Sequence, residues 1–197
     1  MTPEAPATGD IDAVAIGASA GGVEVLSVLL SSLPASCRAS FFIVMHIPRE
    51  RPSLLAEVFN ARCALPVREA EDKEPVQPGT VYFAPPDYHL LLDRGPILAL
   101  SSDEPVHFSR PSIDVLIESA ADIYGERLLG LILTGANQDG AAGLAAVGRA
   151  GGRTVVQDPE SAAVAYLPQA ALQQGPVDFI LSPTQLQSVF TTWGQRG

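Results

Sequence analysis

The sequence predicts an α/β fold: a doubly wound, mostly parallel sheet flanked by helices, with an antiparallel hairpin segment in the middle of the chain. Three observations lead there. Short β-prone apolar runs alternate with stretches of helical period, the pattern of βαβ units. Three of those runs, residues 11–16, 41–45 and 128–133, lead into Ser19, His46 and Asp139. The middle differs, because residues 79–84, 88–92 and 97–100 read as three short strands divided by turn residues such as Pro85-Pro86-Asp87 and Asp93-Arg94-Gly95, which favour local antiparallel pairing.

Each element has its own justification. Residues 11–16 are the first strand, and the small residues Gly17-Ala18-Ser19-Ala20-Gly21-Gly22 then turn the chain. Val23, Leu26, Val28, Leu29 and Leu30 cover one helix face, closed by Leu33-Pro34. Residues 41–45 form the second strand. A second amphipathic stretch, residues 52–60, carries Leu54, Leu55, Val58 and Phe59, and Val67 begins another extended segment. After the middle strands, Pro111 stands where a helix first turn accepts proline, with Ile113, Leu116, Ile117 and Ala120 following at helical spacing. Strands at 128–133, 153–156 and 177–181 and helices at 141–149, 168–173 and 183–193 complete the set. Residues 1–10 are expected to be loosely ordered and residues 11–193 to form one domain, with no internal repeat.

The bulk composition excludes several functions. A chain of 197 residues with 47% hydrophobic content can bury a sizeable core. Its 12 Lys plus Arg against 22 Asp plus Glu leave a net charge of −10, which argues against nucleic acid as a partner, since that needs a basic surface. Cys37 and Cys63 are too few for a disulfide framework and have no metal-site spacing, so reduced thiols and no metal or cofactor are expected. The amino terminus lacks the basic and apolar regions of a secretory signal. No apolar run approaches the roughly 20 residues of a membrane span, so a cytoplasmic protein without membrane insertion is expected.

In an open parallel sheet, groups beyond the carboxyl ends of different strands meet in one cleft. Ser19, His46 and Asp139 then become neighbours and candidates for a hydrolytic triad. Each has a plainer reading. Ser19 can cap the following helix, or the glycine turn can hold a phosphate, although a dinucleotide site would want G-x-G-x-x-G and this turn reads G-x-x-x-G-G. As a nucleophile, Ser19 would have helix-start N–H groups near a developing oxyanion. His46 can be a hydrogen-bonded strand end, or the base that takes and returns the serine proton. Asp139, in Thr134-Gly135-Ala136-Asn137-Gln138-Asp139-Gly140, can cap a helix or orient the histidine. His89 and His107 are candidate cleft neighbours only.

These residues resemble the catalytic domain of the CheB-type protein-glutamate methylesterases. Ile16-Gly17-Ala18-Ser19-Ala20-Gly21-Gly22 is similar to that family's nucleophile segment, and Met45-His46-Ile47-Pro48 to its histidine segment. Residues 78–85 with His89, then Arg110-Pro111-Ser112-Ile113-Asp114, then the loop from Leu133 to Gly140, follow in the family's order. The resemblance runs from about residue 11 to residue 181.

It implies a serine hydrolase that removes methyl esters from glutamate side chains of chemoreceptor-type signalling proteins, with deamidation of certain glutamines as a companion activity. Ser19 would attack, His46 act as base and then acid, and Asp139 hold His46. N–H groups near Ser19 and around Ala136 would form the oxyanion hole. Three positions depart from the family pattern: Ala20 for Thr, Ala136-Asn137 for Met-Gly, and Tyr166-Leu167-Pro168 for Gly-Met-Pro. They motivate an alternative, a catalytically weakened CheB-like binding module in a signalling pathway. Members usually carry an amino-terminal receiver domain, whereas about ten residues precede the first apolar run here, so regulation by an attached receiver is not expected. Arg49, Arg51 and Arg110 flank the expected cleft and would offset the acidic balance towards a glutamate-rich substrate.

Overall fold

In the computed structural model, which describes residues 6–47 and 53–193, the chain runs β1 (Ala13–Ala18), α1 (Gly22–Ser31), β2 (Ser40–Met45), α2 (Leu55–Asn60), β3 (Val67–Glu69), β4 (Val81–Phe83), β5 (His89–Asp93) and β6 (Ile97–Ser101). It continues α3 (Ile113–Tyr124), β7 (Leu128–Ile132), α4 (Ala141–Arg149), β8 (Arg153–Gln157), α5 (Tyr166–Gln174), β9 (Phe179–Leu181) and α6 (Pro183–Thr191). Seven strands form one parallel sheet in the order β3-β4-β2-β1-β7-β8-β9. β5 and β6 pair antiparallel as a separate two-stranded sheet.

Every residue of β1, β2 and β7 is buried, as expected of parallel strands covered on both faces. Strand alternation sorts their side chains. Val14, Ile16, Phe41, Ile43, Leu129 and Leu131 enter the core beneath α1, α2 and α6. Their neighbours Ala13, Ala15, Phe42, Val44, Leu128 and Ile132 enter the opposite core, beneath α3, α4, α5 and the hairpin. Two glycines keep that second layer close. A side chain at Gly130 would stand 3.0 Å from Leu144 and Val147 of α4, and one at Gly17 would collide with Ile113 at the start of α3.

Three sequence expectations need correction. Residues 79–84 do not join the antiparallel segment: β4 pairs parallel with β2 and β3 inside the main sheet, and only β5 and β6 make the hairpin. Pro111 is not in the first turn of a helix, because α3 begins at Ile113 with Ser112 as its cap. The second helix begins at Leu55 rather than Pro52, and Pro52 lies outside the described residues, as do Pro48, Arg49 and Arg51.

The sheet order reverses direction at β1. From β1 the chain moves outward to β2, and later returns on β1's other side as β7. Crevices that bind ligands form beyond the carboxyl ends of strands at such a switch point. Ser19 follows β1 directly, His46 follows β2, and the 134–140 loop follows β7.

Candidate functional site

The sheet ladder extends one step past the strand ends and fixes the floor of this crevice. His46 N donates to Ala18 O (3.1 Å), and Ser19 N donates to Thr134 O (3.0 Å). Since Ala18 is paired with Met45, Ser19 and His46 are the next residues along two neighbouring strands, whose spacing is about 4.8 Å. Thr134 fastens the floor from the other side. Its N–H donates to Gln157 Oε1 (3.0 Å), its hydroxyl donates to Ala20 O (2.9 Å), and it accepts from Val164 N (2.9 Å).

Ser19 is not a helix cap. The cap position of α1 is Gly21, in the left-handed region at φ 80°, with no side-chain capping bond. A side chain there would be strained and would stand 2.6 Å from Ala163, so the turn requires glycine. The Ser19 hydroxyl therefore lies half-buried without a capping role, and it makes no hydrogen bond among the described residues. Gly135 packs against it: a Cβ there would come within 3.0 Å of Ser19 Cβ and 2.8 Å of Leu167.

Asp139 caps a helix, but not the one that follows it. The cap position of α4 is Gly140, at φ 116° and with no capping bond from its own side chain. The Asp139 carboxylate, completely buried, instead reaches the start of α3. Oδ1 accepts from Ser112 Oγ (2.7 Å) and Asp114 N (3.0 Å), and Oδ2 accepts from Ile113 N (2.8 Å). Asp114 returns the favour to α4, its Oδ1 accepting from Gly140 N (2.9 Å) and Gly143 N (2.7 Å). The start of α3 is thus met by a carboxylate from the loop before α4, and the start of α4 by one from α3, so N–H groups with no partner inside their own helix are satisfied.

The fourth bond of Asp139 is to the candidate base: His46 Nε2 donates to Oδ2 at 2.8 Å. Burial would raise the Asp139 carboxyl, but hydrogen bonds from His46, Ser112, Asp114 and Ile113 outweigh it and hold the group below its ordinary value. An ionised carboxylate only accepts, so His46 Nε2 carries the proton. The lone pair of neutral His46 is then on Nδ1. Asp114 goes the other way: burial raises its carboxyl, and the charge of Asp139 adds to this against the N–H groups of Gly143 and Gly140.

The other histidines have different places. His89 is buried outside the crevice, where Nδ1 accepts from Ser112 N (3.1 Å) and Nε2 donates to Glu104 O (3.2 Å). It holds the residue that holds Asp139, and is not a cleft neighbour. His107 is exposed, with Nε2 3.6 Å from Asp114 Oδ2, and lines a cavity of about 310 Å³ with Asp114, Gln138 and Tyr166. A smaller cavity of about 90 Å³ abuts His46 and is walled by Phe108, Ser109, Arg110 and Pro111. Arg110 does not offer a spare positive charge. Its guanidinium binds Asp87 Oδ1 (2.7 and 3.1 Å) and the carbonyls of Ser102 and Asp103.

Sequence reasoning missed Ser112, Asp114 and His89 as supports, and Asn137 as a direct neighbour of His46 Nδ1 at 3.4 Å. Ser112 is a residue type that favours helix caps, but nothing in the Ser112-Ile113-Asp114 sequence hints that a capping carboxylate comes from residue 139. Among the described residues no group of three or more His, Cys, Asp and Glu is arranged to hold a metal ion, and no helix is long and apolar enough to cross a membrane.

A doubly wound parallel sheet with a serine, a histidine–carboxylate pair and donor-rich loops at its switch point defines a layered α/β domain with a candidate hydrolytic crevice. Comparison with known proteins narrows this. A family model described as CheB methylesterase matches residues 14–190, and the chain belongs to that family. It is 41% identical over 185 residues to a protein of Leptospira interrogans whose name gives protein-glutamate methylesterase/protein-glutamine glutaminase with a provisional qualifier, covering 94% of this chain and 96% of that one. A Bordetella parapertussis protein-glutamate methylesterase/protein-glutamine glutaminase is 41% identical over 189 residues, but there the match covers 93% of this chain and 54% of the relative. The crystal structure of the Thermotoga maritima CheB methylesterase catalytic domain superposes with a TM-score of 0.84 at 33% identity, covering 91% of this chain and 98% of that one.

Proposed function

We propose that this protein is a serine carboxyl-ester hydrolase that removes methyl esters from glutamate side chains of a chemoreceptor-type signalling protein. The observation that carries the reading is the 2.8 Å bond from His46 Nε2 to the buried Asp139 carboxylate, with Ser19 next to His46 in the strand register. The names of the relatives support the substrate class.

In this reading the roles of the two histidine nitrogens follow from the tautomer. Nε2 is committed to Asp139, so Nδ1 takes the proton of Ser19 as its Oγ attacks the ester carbonyl. Asp139 holds the ring and stabilises the imidazolium. When the tetrahedral intermediate collapses, the Nδ1 proton passes to the leaving methoxide and methanol departs. Water then attacks the acyl-enzyme and gives its proton to Nδ1. Nδ1 returns that proton to Ser19 Oγ as the acyl bond breaks, and the product acid leaves as glutamate by giving its remaining proton to solvent. An amide in place of the ester would lose ammonia by the same steps, which is the glutamine deamidation in the relatives' names.

The oxyanion hole is narrower than the sequence suggests. Ser19 N is bonded to Thr134 O and Gly135 N to Val164 O. Ala20 N and Ala136 N have no acceptor among the described residues and sit on exposed residues of the two loops that face the crevice. They are the donors we assign to the oxyanion, each worth about 100- to 1000-fold in rate.

The absence of a Ser19–His46 hydrogen bond favours a second reading, a binding module of the same fold. Catalytic contacts are commonly long before substrate binds, so one assay decides between them. Methanol release from methylated receptor membranes is expected from the natural protein and abolished in Ser19→Ala with its far-UV spectrum intact. Undiminished release from Ser19→Ala rejects the triad, and no release from either protein supports the binding module.

A further inference from the structure

The lone pair of His46 Nδ1 already has a neighbour. Asn137 Nδ2 lies 3.4 Å from it and 3.3 Å from Ser109 Oγ. Which end of the amide faces the ring is fixed at its other end, where Asn137 Oδ1 accepts from Asp139 N at 3.2 Å. The group turned to the ring is therefore the NH2, which donates and cannot accept. His46 Nε2 has its proton on Asp139, so the amide points a proton at the only lone pair of the ring. That lone pair can accept from one donor at full strength, and the reaction needs it for Ser19.

We propose that Asn137 is a positioning residue that acts through His46, a brake that competes with Ser19 Oγ for His46 Nδ1. The inference rests on the Ser19, His46 and Asp139 roles given above. In the resting site the amide satisfies Nδ1 and leaves Ser19 Oγ without a hydrogen bond among the described residues, which is the arrangement observed. As the Ser19 proton moves to Nδ1, that nitrogen becomes a donor and faces the amide hydrogens. Asn137 must then turn away, and Ser109 Oγ, at 3.3 Å, is the acceptor that already receives it. Among the described residues, the other charged groups near the ring are Asp139 and Arg110, the latter paired with Asp87. A glycine, which the family resemblance leads one to expect at this position, has no side chain with which to act in this way.

The amide has two contacts, and two substitutions separate them. Asn137→Gly removes both the donor to His46 and the acceptor for Asp139 N. Asn137→Asp keeps an acceptor for Asp139 N but replaces the donor facing His46 with an acceptor, which would hold a proton on Nδ1. If Asn137 is a brake, Asn137→Gly raises kcat for methanol release about three- to tenfold, the scale of one modest hydrogen bond. KM stays within about twofold, because the amide competes with the proton transfer and not with substrate. Asn137→Asp lowers kcat by about tenfold or more. The rate at which a fluorophosphonate labels Ser19 moves in the same order, and it reads the brake even without a methylated substrate. If Asn137 serves only to fix the Asp139 loop, the order inverts: Asn137→Gly is slower and Asn137→Asp matches the natural protein. That order, or equal labelling of all three proteins with native far-UV spectra, overturns the proposal. Retained turnover in Ser19→Ala would instead overturn the underlying triad, so the two failures are distinguishable.

Discussion

Replacing Asp139 by Asn changes almost no volume and removes one charge, and the surroundings of the carboxylate determine the result. Its two oxygens accept four donors: Ser112 Oγ, Asp114 N, Ile113 N and His46 Nε2. An amide oxygen can satisfy the donors on only one side. With the oxygen on the Ser112 side, the NH2 faces Ile113 N–H and His46. The ring can adapt by accepting on Nε2, which moves its proton to Nδ1 and removes the base. The Ile113 N–H cannot adapt, and a buried donor without a partner costs about 1–3 kcal/mol. The expected result is a stable but less robust protein with kcat down about 10⁴-fold, the cost of the wrong tautomer in a comparable triad. Methanol release and urea unfolding measure the two effects. If Asp139→Asn keeps a tenth or more of the activity, His46 is not held by Asp139 in the way described.

The same carboxylate gives a pH signature. Its folded value is lowered, so its contribution to stability is fully present above the ordinary Asp value of about 3.9 and is lost as pH falls through the folded value. The stability gap between the natural protein and Asp139→Asn is therefore expected to be constant near neutrality and to close only in acid; a gap that widens on acidification contradicts the assignment. His89→Leu strips the acceptor from Ser112 N and the donor from Glu104 O, and is expected to cost about 1–3 kcal/mol; an unchanged urea midpoint would deny His89 its supporting role. Gly135→Ala brings a methyl group within 3.0 Å of Ser19 Cβ and within 3.1 Å of two Leu167 atoms. Leu167 Cδ2 can move but the two Cβ atoms resist, so Ser19 is displaced and kcat falls about 100-fold, whereas an unaltered kcat would mean that Ser19 tolerates the shift.

The parts of the site legible in the sequence are those set by local pattern. Apolar runs at 11–16, 41–45 and 128–133 announce buried parallel strands, and the residues that follow them must then meet at one sheet edge. That reasoning brings Ser19, His46 and Asp139 into one crevice without any knowledge of contacts. It fails where partners are distant. The middle strand at 81–83 has only three residues, too few to declare whether it pairs locally or with β2. Asp139 beside Gly140 looks like a cap for α4, and only tertiary packing reveals that it caps α3 across 25 positions while Asp114 caps α4 in exchange. Asn137 is a plain loop residue until the ring of His46, 91 positions away, is set beside it.

Mass spectrometry of the protein after reaction with a fluorophosphonate tests most directly whether Ser19 is a nucleophile activated by His46 and Asp139. One adduct per chain, mapped to Ser19 and lost in both Ser19→Ala and Asp139→Asn, is the predicted result. Methanol release by a protein that forms no adduct at Ser19 would contradict it.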